Sequence, residues 1–194
     1  MKKILKLLSY FIIILVLLLA GTYFYVNSQI KITEQGVLST NEVPYIGIKV
    51  NDVAMNEFSK IVPETYLKLE QFKKQNPEIE FKKPFTIYQK SQISEKLSNV
   101  IIGFETPHLY PDTHEAEVFS GIRKSILAMK FEAIGSYDYL PFVWLTAFMK
   151  VGNSETYQLN ENEFGFEVYE TNPEDNNVAP KDYQTFLYLP VVEK

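Results

Sequence analysis

Phe164-Gly165-Phe166-Glu167-Val168-Tyr169 reads as a β-strand, with aromatic and β-branched residues set around a single carboxylate. Strand side chains alternate between faces, so Phe164, Phe166 and Val168 share one side while Glu167 and Tyr169 share the other. A lone acid among bulky apolar neighbours is costly to bury without a partner. Either Glu167 looks into water, or it waits in a cavity for something cationic or hydrogen-bonding. The remaining segments can be read as the walls of that cavity.

Working outward, Tyr183 to Val192 is a closing strand, linked to the first by the turn-rich run Asn172 to Asn177. Upstream, Ser125 to Ile134 is a strand that ends at Gly135. Ser136 suits a helix cap and Pro141 the first turn, and Leu140, Val143, Trp144, Ala147 and Phe148 form one helical stripe stopped at Gly152-Asn153. The same order occurs earlier. Pro44 to Val50 alternates like a strand, with Asn51 or Asp52 placed to cap a helix. Phe58, Ile61, Val62, Leu69 and Phe72 keep helical spacing to about Gln75, with Pro63 expected to kink or restart the helix. Phe81 to Tyr88 and Asn99 to Phe104 are then strands, separated by a polar turn from Gln89 to Lys96. Both halves read strand, helix, strand, strand. The expected fold is therefore α+β, a pseudo-twofold duplicated module with a ligand cleft between its halves.

Composition narrows the function. The 194 residues contain no cysteine, which excludes disulfides, thiolate chemistry and a lipoprotein anchor. Thirteen Tyr and 14 Phe supply a core and suit a pocket for flat or amphipathic ligands. Lys2, Lys3 and Lys6 contribute +3 of a net charge of −5, so the rest of the chain carries −8. Nucleic acid calls for a basic face, so this balance argues against it and favours cationic small molecules.

Leu7 to Val26 is an almost unbroken apolar run of 20 residues. As a helix it would measure about 30 Å, the thickness of a bilayer core. A cleaved signal peptide is the competing reading, but Ala20-Gly21-Thr22 is a weak cleavage site and the apolar run continues past it. The expectation is an anchor over residues 1–26, a tether over 27–42 and a domain over 43–194. That makes a single-pass membrane protein with a cytoplasmic N-terminus and an extracytoplasmic body.

His108, His114, Asp112, Glu115 and Glu117 fit no metal-binding spacing and read as a solvated acidic loop. No phosphate loop or nucleophile elbow is present, and no metal or cofactor is expected.

Three stretches together resemble a known family. Ile134-Gly135-Ser136-Tyr137 with Leu140 and Trp144 is similar to its short strand, Gly-x-Tyr turn and Leu-bearing helix. Phe166-Glu167-Val168-Tyr169 with Asn172-Pro173 is similar to its aromatic-Glu-x-Tyr strand and Asn-Pro turn, and Thr185 to Val191 to its terminal strand. The chain from Val43 to Val192 resembles the GyrI-like small-molecule-binding domains, the effector-binding domains of bacterial transcription activators. The resemblance implies a pseudo-symmetric domain that binds hydrophobic, often cationic compounds over a central glutamate ringed by aromatics. Glu167 matches that glutamate, and Tyr88, Tyr139, Trp144 and Tyr188 fall near the aromatic positions. Unlike the better-known members, the chain shows no helix-turn-helix and carries the apolar N-terminal run.

The resemblance leaves three functions open. The first is a sensor or sequestration domain for an amphipathic or cationic compound, with cation–π contacts worth roughly 0.5–2 kcal/mol each. The second is a hydrolase of strained electrophiles, with Glu167 as general base and Tyr188 or Tyr139 as hydrogen-bonding partner. The third is a protein-interaction module, since the family includes an inhibitor of DNA gyrase.

Overall fold

A computed structural model describes residues 25–26, 28–90, 97–111, 117–171 and 177–194. Helix α1 is Phe58–Gln75 and helix α2 is Leu140–Gly152. The strands are β1 (Ile30–Ser39), β2 (Val43–Ala54), β3 (Pro84–Lys90), β4 (Leu97–Glu105) and β5 (Val118–Arg123). They continue with β6 (Leu127–Gly135), β7 (Tyr157–Leu159), β8 (Gly165–Tyr169) and β9 (Gln184–Glu193).

The strands join one antiparallel sheet in the order β1-β6-β9-β8-β3-β4-β2-β5, with β7 paired to the end of β9. The duplication lies in that order. β2, α1, β3 and β4 form one half, β6, α2, β8 and β9 the other, and the halves meet where β3 pairs β8. The fold is the expected α+β duplicated module.

The ends of the sheet are not independent. β1 leaves its own half to pair β6, and β5 leaves its half to pair β2. From Gly36↔Lys130 to Ile48↔Val118 the two pairings share one register, so they form a single long ribbon that joins the two ends of the sheet. Thr40 and Ile126 hold its middle. Thr40 N–H donates to the Ile126 carbonyl at 2.8 Å, Ile126 N–H to Thr40 Oγ1 at 2.9 Å, and Ser125 Oγ to the Thr40 carbonyl at 2.5 Å.

Strand parity sorts the core. On the face carrying the helices, α1 buries Tyr66, Leu69 and Phe72 against Ile46, Ile102 and Phe104, while α2 buries Val143, Ala147 and Val151 against Phe131, Leu187 and Leu189. The back face packs Phe85, Ile87, Phe166 and Val168 with Tyr45, Ile101, Ile126 and Ala128. Each helix covers its own half, and the β3–β8 seam runs between them.

Several expectations are corrected. The tether over 27–42 is mostly β1, since Ile30–Ser39 pairs with Leu127–Gly135. Two strands go beyond the expected elements: β5 (Val118–Arg123) follows the acidic loop, and β7 (Tyr157–Leu159) precedes Phe164. Asp52 caps no helix: β2 runs on to Ala54, and Asp52 takes a φ of 58° where the β2–β4 register shifts. The α1 helix is assigned without interruption through Pro63.

The membrane localisation is corrected as well. Among the described residues no helix is long and apolar enough to cross a membrane. All but Tyr25 and Val26 of the run it was read from lie outside the described residues, as do the turn over 91–96, residues 112–116 and the Asn172-Pro173 motif.

Candidate functional site

At the seam, Thr86 faces Glu167 and Tyr88 faces Gly165 in register. Parity turns Glu167 and Tyr169 toward the helices, while Phe166 and Val168 enter the back-face core. Phe164 falls just before the strand and is exposed.

Glu167 is 0% exposed. Three neutral donors hold it: Trp144 Nε1–H on Oε1 at 2.6 Å, with the Tyr169 and Tyr88 hydroxyls on Oε2 at 2.6 and 2.9 Å. Tyr169 Oη also lies 3.1 Å from the hydroxyl of Thr86, itself buried. Among the described residues no lysine or arginine forms an ion pair with Glu167. Burial pushes its carboxyl above the ordinary value, and the hydrogen bonds from Tyr169, Tyr88 and Trp144 offset this only in part. Tyr88 and Tyr169 are in turn pushed well up, first by burial and then by the negative charge of Glu167. A buried carboxylate with donors and no counter-ion still carries an uncompensated desolvation cost, which a cation beside it would offset.

A cavity of about 1100 Å³ opens beside it, between α1 and α2. Phe58, Val62 and Tyr66 come from α1, and Leu140, Trp144 and Phe148 from α2, while Asp138, Glu161 and Glu163 reach it from the loops. Its wall is largely apolar and rich in aromatic rings, and among the described residues three loop carboxylates face it against one lysine, Lys90, which lies 3.3 Å from Glu161.

The structure brings Glu167, Trp144 and Tyr88 together, and sets two nominated residues apart. Tyr188 stacks on Phe166, with ring centroids 4.5 Å apart, on the back of the sheet beside Arg123. The register explains this: Glu167 pairs Leu187, so Leu187 shares its face and Tyr188 cannot. Tyr139 ends a 3-10 turn and packs with the second core cluster, outside the cavity lining. The tyrosine two residues earlier takes the position expected of it. Tyr137 lines the cavity, meets Tyr169 edge-on at 5.3 Å and stacks on Tyr183 at 4.6 Å.

Tyr169 and Tyr66 were not nominated, although a signal existed for both. Tyr169 shares the parity of Glu167, and Tyr66 continues the Phe58–Val62–Leu69 stripe of α1.

No family model matches the sequence, and no curated protein matches it. Solved structures do. The chain is similar to the C-terminal domain of EcmrR at 16% identity and a TM-score of 0.65, covering 85% of this chain and 99% of that one. It covers 63% of the EcmrR chain seen in a DNA complex. SAV2435, solved bound to tetraphenylphosphonium, is similar at 12% identity and a TM-score of 0.59, covering 82% and 94% of the two chains. The chain shares the α+β fold of these domains. A hydrolase from Listeria innocua encoded by lin2189 has the same fold at 10% identity and a TM-score of 0.51, covering 84% and 92%. In this chain, the buried glutamate and its donors sit at the junction of the two halves of that fold.

Proposed function

We propose that the domain binds a hydrophobic cationic or aromatic small molecule between α1 and α2, as a sensor or sequestration module. The observation that carries this is Glu167: a carboxylate with no water contact and no ion pair among the described residues, beside an aromatic cavity of about 1100 Å³. A guest cation would supply the missing charge, and the rim carboxylates would draw it in. The tetraphenylphosphonium bound to SAV2435 supports the choice of ligand class.

A hydrolytic reading finds less support. Tyr188 and Tyr139, the partners it assigned to Glu167, lie elsewhere, and the three donors already fill most of the carboxylate's capacity.

Titration calorimetry of the full chain with tetraphenylphosphonium tests the proposal, comparing wild type with Glu167→Gln. An attraction across roughly 6 Å at an effective dielectric near 20 is worth ~3 kcal/mol, so the variant should bind about 10- to 100-fold more weakly. Equal affinity of the two proteins would remove Glu167 from ligand recognition.

A further inference from the structure

Glu167 supplies the charge of the site, yet it is not the surface a guest meets. It is 0% exposed, and its own donors cover it. Trp144 and Tyr88 are half-buried and line the cavity. The Trp144 N–H is committed to Oε1 at 2.6 Å, so what the indole offers the cavity is ring and not a donor.

The fold fixes that ring in place. Gly165 lies beneath it, and a Cβ added there would come within 2.6 Å of Trp144 Cη2 and 3.0 Å of Cζ3. Tyr88 meets the indole edge-on at 5.3 Å, and Phe148 lies tilted against it at 5.8 Å. An N–H that donates to a carboxylate also polarises its ring, leaving more electron density on the π face than in free indole.

We propose that the cation rests on the face of Trp144, and that Glu167 acts through the Trp144 N–H as a positioning residue that charges the ring without touching the ligand. This rests on the function proposed above and sharpens the ligand class. The preferred guest carries its charge at a hydrocarbon surface, as quaternary ammonium and tetra-aryl phosphonium ions do, and needs no N–H of its own.

The chain contains one tryptophan, so fluorotryptophan incorporation changes this ring alone. Full-chain protein carrying none, one, two or three ring fluorines is titrated with tetraphenylphosphonium, each preparation first checked for unchanged thermal unfolding. Affinity should fall stepwise, by about 2- to 30-fold in total, as fluorine drains the π face. In Glu167→Gln the same series should give a shallower slope, and the lone indole ¹H–¹⁵N resonance should move when the carboxylate is removed. Wild-type binding that ignores fluorination would overturn this inference and leave the proposed function standing. An equal slope in Glu167→Gln would overturn the role of Glu167 through the ring. No binding by wild type would overturn both.

Discussion

At the scale of the residue, Glu167 links function to pH. Burial first, and then only partial relief from Tyr169, Tyr88 and Trp144, raises its pKa from the ordinary 4.5. The folded chain therefore holds this proton to higher pH than the unfolded chain does. The stability from that difference is full below pH 4.5 and is lost as pH rises through the raised value. Glu167→Gln removes that loss. Thermal unfolding across pH 4–9 should show the variant gaining on wild type as pH rises, and parallel curves would refute the assignment. Ligand binding runs the other way. The probe tetraphenylphosphonium does not titrate, so its affinity should increase with pH as Glu167 ionises and then level off. In Glu167→Gln the dependence should shrink to whatever Asp138, Glu161 and Glu163 at the rim contribute. The tyrosines at the carboxylate are pushed further from this window and do not compete for it.

At the scale of the element, the seam between β3 and β8 makes the site, and much of it was legible. The alternation in Phe166-Glu167-Val168-Tyr169 put Glu167 and Tyr169 on one face, and the α2 stripe set Trp144 on a helix able to cover them. Alternation within one strand does not give its phase against the next, so it could not test Tyr188, which is nominated through the resemblance alone and lies on the back face. Only the Glu167↔Leu187 register resolves it. Gly165 carried no sequence signal either, because its importance lies in what it leaves room for. Gly165→Ala should push the indole away and lengthen its bond to Glu167, weakening tetraphenylphosphonium binding several-fold while the sheet still forms. Near-ultraviolet circular dichroism of the single tryptophan, measured beside calorimetry, checks this; an unchanged spectrum with unchanged affinity would show that the glycine is dispensable.

At the scale of the whole molecule, both strand-helix-strand-strand halves could be read from periodicity, whereas the ribbon could not. Ile30–Ser39 and Val118–Arg123 mix polar with apolar residues, carry one glycine each and bury few residues, so they resemble connecting segments until their partners are known. Their pairing is long-range, and local pattern holds no record of it. Thr40 is the test of that pairing. Thr40→Val keeps the shape but strips the Ile126 N–H of its side-chain acceptor at a buried crossing. The expected cost is about 1–3 kcal/mol, which lowers Tm by a few degrees at this chain length. An unchanged Tm would mean that the crossing contributes little.

Because each half lends an outer strand to the other, neither can complete itself. Expressed separately, the chain up to β4 and the chain from β5 would each expose an unsatisfied edge and tend to aggregate, yet mixed during refolding they should recombine into one ligand-competent particle. The arrangement is what two copies of an ancestral half would form by trading arms across a dyad. Glu167 pairs Thr86 across the junction, so the halves are not chemically equivalent there and one acid stands where exact symmetry would place two.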